Sequence, residues 1–201
     1  MRNIRQQMGL LIVVVGLATT TVTAPSASAA PTSDAMRLVI AARSQVGVTT
    51  GYDPAYVALR YPGGDVDPST GVCSDVVIRA LRGLNIDLQE RIHRDIVANR
   101  AAYPKKWGLK KADPNIDHRR VRNISTYFAR RGYSLPVSTD AKQYRPGDIV
   151  AMEIPLDHIG IVSDRSKDGR PLVIHNVGSG TQEEDVLFAW KIVGHYRVLS
   201  N

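Results

Sequence analysis

The sequence predicts an α+β domain in which N-terminal helices pack on a C-terminal antiparallel β-sheet. Two observations carry this. Between Ser33 and Gly132 the apolar residues recur at three- and four-residue steps, whereas after Pro136 short runs rich in β-branched residues alternate with turn residues. Their order decides the class: helices come first and strands afterwards, so no β-α-β alternation toward a parallel sheet arises.

The first helix is expected from Ser33, with Met36, Val39, Ile40 and Arg43 in step until Gly47. A loop rich in Gly, Pro, Tyr and Asp follows from Thr49 to Gly71. A second helix begins at Cys73, its stripe formed by Val77, Leu81 and Leu84, with Ser69 and Thr70 upstream as candidate caps. Asp87 and Glu90 resemble a capping box for a third helix with Leu88, Ile92 and Ile96 on one side, ended at the latest by Pro104. The polar stretch from Lys110 to Arg119 leads into a fourth helix carrying Val121, Ile124 and Phe128. Strands are expected at Asp148 to Glu153, His158 to Ser163, Pro171 to Asn176 and Val193 to Leu199.

Residues 1–29 read as a cleaved secretory signal: basic Arg2 and Arg5, an apolar stretch from Met8 to Ala18, then Ala27-Ser28-Ala29. The apolar run is well short of the about 20 residues of a spanning helix. No stable membrane insertion is therefore expected after processing, and the remaining single domain, 30–201, should be periplasmic or secreted. The formal net charge of +7 falls to +5 without Arg2 and Arg5. An anionic wall polymer suits this balance, while the scattered basic residues form no nucleic-acid-binding motif. Cys73 is the only cysteine, so an exported chain has no internal disulfide to explain it.

A cysteine at a helix N-terminus sits beside unpaired backbone N–H groups and the positive end of the dipole, which favour the thiolate and can hold an oxyanion. A thiol pKa below the roughly 8.5 of free cysteine is expected on that ground. The bland alternative is a small buried hydrophobe. His158 opens the run His-Ile-Gly-Ile-Val, in which His158, Gly160 and Val162 share one face and Gly160 leaves room beside the imidazole. If Ser163 pairs with Arg170 across the intervening turn, His158 lies directly opposite His175. One imidazole can then act as base toward Cys73 while the other fixes its tautomer. Each alone could equally be a hydrogen-bonded, half-buried histidine. His93 fits a solvated helix face, and His195 a terminal strand. Residues 115–120, Asn-Ile-Asp-His-Arg-Arg, are dense in groups able to bind substrate, with a solvated helix entry capped by Asp117 as the alternative. A zinc site from His158, His175 and Asp117 lacks HExxH or paired-ligand spacing, so neither a metal nor another cofactor is expected.

Three segments resemble the NlpC-type branch of papain-like enzymes, which cleave peptidoglycan stem peptides: YPGGDVDPSTGVCSDVV, YRPGDIVAM, and HIGIVSD followed by VIHNVGSG. The resemblance implies a papain-like fold, Cys73 as nucleophile, His158 as base and His175 as the orienting residue, with Tyr61 helping the oxyanion. The chain departs from that pattern in Val72 before the cysteine and Ser74-Asp75 after it, and residues 88–132 have no counterpart. Over residues 36–199 it resembles more closely the bacterial domain of unknown function 1287 family, through GVCSDVVIRAL, DPNIDHRRV, HIGIVSD and DVLFAWKIVGHYR.

The expected activity is hydrolysis of an amide bond in the peptide part of peptidoglycan, by an endopeptidase or amidase with a Cys-His-His triad. Ser74, Asp75, Asp117, His118, Arg119 and Arg120 are candidate oxyanion or substrate contacts, with Arg119 or Arg120 placed by charge to grip a stem-peptide carboxylate. The rivals are a thiol acyltransferase and a non-catalytic wall-binding module on the same fold.

Overall fold

The computed structural model describes residues 33–106, 111–155 and 157–199. The signal segment expected at residues 1–29 lies outside them. Helix α1 spans Asp34–Arg43 and is capped by Ser33, whose hydroxyl accepts the Met36 N–H at 3.3 Å. Helix α2 spans Cys73–Arg82. Its N-terminus is not capped by Ser69 or Thr70. Instead the Asp75 carboxylate, three residues into the helix, reaches back to the Val72 N–H at 2.7 Å, while Ser69 bonds locally to Asp67. Helix α3 spans Leu88–Asn99, with Asp87 accepting from Gln89 N–H at 3.0 Å. Helix α4 spans Val121–Arg130 behind a short 3-10 turn, Asp117–Arg119.

Among the described residues there are six strands: β1 Ser134–Leu135, β2 Ile149–Glu153, β3 Asp157–Lys167, β4 Arg170–Asn176, β5 Thr181–Glu184 and β6 Lys191–Tyr196. They form one antiparallel sheet in the order β1-β6-β2-β3-β4-β5. The α+β arrangement of helices on an antiparallel sheet is thus present. Strand alternation gives the sheet two buried faces. Ile149, Ala151, Ile159, Ile161 and Ile174 pack under the helices with Leu38, Val77, Leu81 and Phe128, and Val150, Met152, Val162 and Val173 pack under Leu187 with Tyr144 and Trp190. No helix among the described residues is long and apolar enough to cross a membrane.

The β3–β4 hairpin corrects the expected register. Lys167, not Ser163, pairs with Arg170, and the two-residue turn is Asp168-Gly169, with φ of 50° and 78°. Both central residues at positive φ define the turn whose twist matches a hairpin, and Asp-Gly supplies it cheaply. An irregularity between Val162 and Ser166 then leads into the pairs Val162↔Val173 and Ile161↔Ile174. His158 and His175 therefore lie diagonally rather than directly opposite. They still share a face, because the shift is by an even number of residues. Gly160 is the residue abreast of His175. A Cβ there would come within 2.5 Å of Val173 Cγ1 and 3.1 Å of His175 Cβ, so only glycine fits beside the histidine.

Candidate functional site

The sulfur of Cys73 lies at the start of α2, against the sheet. Its residue is only 4 % exposed. The backbone N–H groups of Ile159, Ser74 and Cys73 itself lie close enough to the sulfur to favour its thiolate. The Ile159 contact matters most, because the β3–β4 ladder ends at Ile161↔Ile174 and frees the next part of β3 from its neighbour. The thiol thus enters at an opening seam of the sheet, one residue from His158.

His158 and His175 are both buried, and Nε2 of His158 is 2.9 Å from Nδ1 of His175. Their rings are nearly perpendicular, at 88°. Trp190 meets both edge-on, with centroids 5.6 and 5.9 Å away, and so covers the pair from the far face. Beyond them, Nε2 of His175 is 3.1 Å from a Glu184 carboxylate oxygen. Asn176, the next residue of β4, donates to the carbonyls of Gly51 and Gly71 at 3.0 and 3.1 Å. That side chain ties the loop before Cys73 to the strand bearing His175.

Burial holds the thiol and both imidazoles neutral at rest. Burial pushes the Cys73 thiol up to about 12, against the N–H groups of Ile159 and Ser74, which favour the thiolate. The depressed pKa expected from the helix terminus alone is corrected here, because desolvation exceeds what those N–H groups return. Burial likewise pushes His158 down to about 3, with the neighbouring His175 acting in the same direction. His175 is lowered by burial too, against the pull of Glu184.

A cavity of about 300 Å³ opens beside Cys73, lined by Tyr52, Pro54, Val72, Lys106, Ile116, Arg119, Val121 and Asp157. Tyr52, not Tyr61, is the tyrosine at the thiol. Tyr61 packs edge-on against His93 at 5.1 Å, because Gln89 draws its loop toward α3 by accepting from Gly64 N–H and donating to Arg60 O. Tyr52 carries no motif spacing in the sequence. The loop's return to Gly71, through Asp53 N–H donating to Gly71 O, is what delivers it.

Most of the other candidate contacts are structural. Ser74 is fully buried and its hydroxyl donates to Arg119 O at 2.7 Å. Asp75 receives Arg119 at both oxygens, 2.9 Å each, as a bidentate ion pair with side-chain exposures of 3 % and 2 %. Arg119 also donates to Ala55 O at 3.2 Å. Although it borders the cavity, its guanidinium is already engaged, which corrects its expected role as a carboxylate grip. Asp117 accepts the Asp113 N–H at 2.6 Å and pairs with Arg120 at 3.4 Å, so the pair shapes the turn before α4. His118 is 2 % exposed, with Nδ1 unpartnered among the described residues. His195 lies on the terminal strand β6, as expected, and is also a buried anchor there: its Nε2 and the Arg197 guanidinium both engage Asp148, at 2.7–2.8 Å. Among the described residues no group of three or more His, Cys, Asp or Glu could hold a metal ion, and Asp117 does not join the two histidines.

The burial of three histidines has a consequence for acid stability. Their folded pKa values lie below the unfolded 6.5, at about 4 for His118 and about 3 for His158, with His175 lowered as well. Below pH 6.5 the unfolded chain binds protons that the folded chain does not, so stability is full above that pH and is lost as pH falls toward 4. The expected loss is on the order of 1.4 kcal/mol per histidine per pH unit in that window. Urea unfolding at about pH 7 and about pH 5 measures it. Equal stability at both would contradict the neutral buried imidazoles.

Comparison with known proteins adds the family. The model of the family described as domain of unknown function (DUF1287) matches residues 39–198. The chain belongs to this family. A relative, the uncharacterized protein YijF of Escherichia coli (strain K12), is 58% identical over 159 residues, which cover 78% of each chain. Among solved structures, NlpC1 from Trichomonas vaginalis superposes with a TM-score of 0.47 at 14% identity, covering 87% of this chain and 47% of that one. An N-acetylmuramoyl-L-alanine amidase from Bacteroides uniformis ATCC 8492 gives 0.48 at 12% identity, over 83% of this chain and 99% of the other. This chain spans about half the length of the Trichomonas proteins it matches.

Proposed function

We propose that this chain is an exported papain-like cysteine hydrolase that cleaves an amide bond in the peptide part of bacterial peptidoglycan. The observations that carry the reading are the Cys73 sulfur at the N-terminus of α2, held near the backbone N–H of Ile159, the residue that follows His158 in β3, and the 2.9 Å His158–His175 pair. In this mechanism His158 takes the thiol proton as sulfur attacks the acyl carbon. Backbone N–H groups at the start of α2 stabilise the tetrahedral oxyanion. The C–N bond then breaks as His158 returns its proton to the leaving amine, and water hydrolyses the thioester with His158 again as base. His175 orients His158. The substrate class rests on the three motif segments that resemble NlpC-type enzymes, on the signal-like residues 1–29 that imply export, and on the positive net charge.

One observation favours the non-catalytic wall-binding module: the thiol is buried and its pKa raised. Digestion of isolated peptidoglycan, under reducing conditions and across walls of different cross-link chemistry, separates the readings. The enzyme is expected to release soluble peptides bearing new amino groups and to leave the sugar strand intact, since glycosidic cleavage usually needs two carboxylates. Walls that bind wild type and Cys73→Ala equally and yield no new amine would establish the binding module instead. Amide products formed only when an added amine is present would establish the acyltransferase.

A further inference from the structure

Nδ1 of His175 faces Nε2 of His158 across 2.9 Å, so one of these two atoms carries a proton and the other must be bare. Which is which decides whether His158 can act as a base. If the proton lies on Nε2 of His158, its Nδ1 is bare and able to accept from a thiol; if His175 donates instead, Nδ1 of His158 is protonated and blocked. Two neutral imidazoles leave this choice to whatever meets the far end of His175.

That far end is Nε2 of His175. It is buried and, among the described residues, has no well-aligned hydrogen-bond partner. The carboxylate within ion-pair distance of it is Glu184, with Oε2 at 3.1 Å in an oblique approach. Glu184 sits on β5, whose register sets His175 against Gln182 and Val173 against Glu184. The carboxylate is therefore diagonal to the imidazole on the same face of the sheet, within reach of a long side chain. Its side chain is 47 % exposed, which leaves it free to rotate into line. An ionised carboxylate only accepts, so it selects the tautomer of His175 with the proton on Nε2 and with Nδ1 bare.

We propose that Glu184 is a positioning residue that sets the tautomers of both histidines, making Nδ1 of His158 the base of a Cys73–His158–His175–Glu184 relay. This rests on the hydrolase reading for its purpose, but its chemistry can be read without any substrate. Nitrogen-detected NMR of the imidazoles in the mature chain at about pH 7.5 should show Nε2–H tautomers for both His158 and His175. Glu184→Ala is expected to leave the two histidines in mixed tautomers and to slow Cys73 alkylation by iodoacetamide roughly tenfold. Glu184→Gln, whose side-chain oxygen still accepts, should restore most of both. If peptidoglycan is the substrate, kcat should fall in parallel with alkylation while KM stays unchanged.

Because Glu184 is half-exposed, both variants are expected to fold as the wild type does, and thermal unfolding checks it. Wild-type His158 protonated on Nδ1 would overturn the proposal, as would tautomers and alkylation unchanged by Glu184→Ala. Correct tautomers in a protein that leaves all walls intact would uphold Glu184 in this role and defeat the hydrolase reading alone.

Discussion

Arg119→Ala is expected to destabilise the fold by about 3–5 kcal/mol, because it strands the Asp75 carboxylate in the interior. Both partners are almost entirely out of water, and the pair is bidentate at 2.9 Å. A buried pair of this kind need not favour folding as a whole, since desolvation offsets much of its attraction. The penalty appears when one member is removed. Lys191 and Glu153 offer the contrast: their side chains are 76 % and 50 % exposed at 3.3 Å, and breaking that contact is expected to cost under about 1 kcal/mol. Adding Asp75→Asn to Arg119→Ala should recover part of the loss, because the amide oxygen still accepts the Val72 N–H at the head of α2 without leaving a charge. Urea unfolding of the single and double variants tests this. A loss under about 1 kcal/mol for Arg119→Ala would mean that Asp75 finds another partner or water.

The same pair shows why much of the site was illegible in the sequence. The 3-10 turn Asp117–Arg119 stands out in the sequence for its density of functional groups, but nothing local says that its arginine closes on an aspartate in α2 or braces the loop at Ala55. Ser74 and Asp75 follow the candidate nucleophile in sequence, yet both point into the packing. Position beside a candidate nucleophile gave no information about side-chain direction. The helices were readable because their apolar period and their Ser33 and Asp87 caps are local signals.

Strand β5 was not, since Thr-Gln-Glu-Glu has low strand propensity and no apolar alternation. It exists because pairing to β4 and long-range partners select it: Glu183 binds Arg43 of α1 at 2.7 Å and Glu184 meets His175. The two carboxylates point to opposite faces, as a strand requires. The β3–β4 register differs from the expected one for another reason. Asp168-Gly169 is a strong two-residue turn signal, whereas a turn spanning the whole run from Asp164 shifts the pairing by two residues, which changes the facing partners and keeps the face.

Replacing His158 by alanine is expected to lower kcat/KM on peptidoglycan by about 10²–10⁴, and Cys73→Ala to remove the activity altogether. Both should leave wall binding in place. The pH dependence is the sharper test, because it reports the resting charge of the pair. With the thiol held up at about 12 and the imidazole held down at about 3, neither group titrates near neutrality. The free protein then holds a thiol and a neutral imidazole, and the proton moves only when sulfur attacks. kcat/KM should accordingly be flat between about pH 6 and pH 9, as the profile of the free enzyme reports its own essential groups. Alkylation of Cys73 without substrate should be slow throughout that range and faster at higher pH. A preformed thiolate–imidazolium pair would behave differently, with rapid alkylation at neutral pH and an apparent thiol pKa below about 8.5. That outcome would show that the helix terminus and the Ile159 N–H outweigh burial. Activity unchanged in His158→Ala would instead remove the base from the mechanism, and would leave the 2.9 Å histidine pair as a structural feature of the sheet.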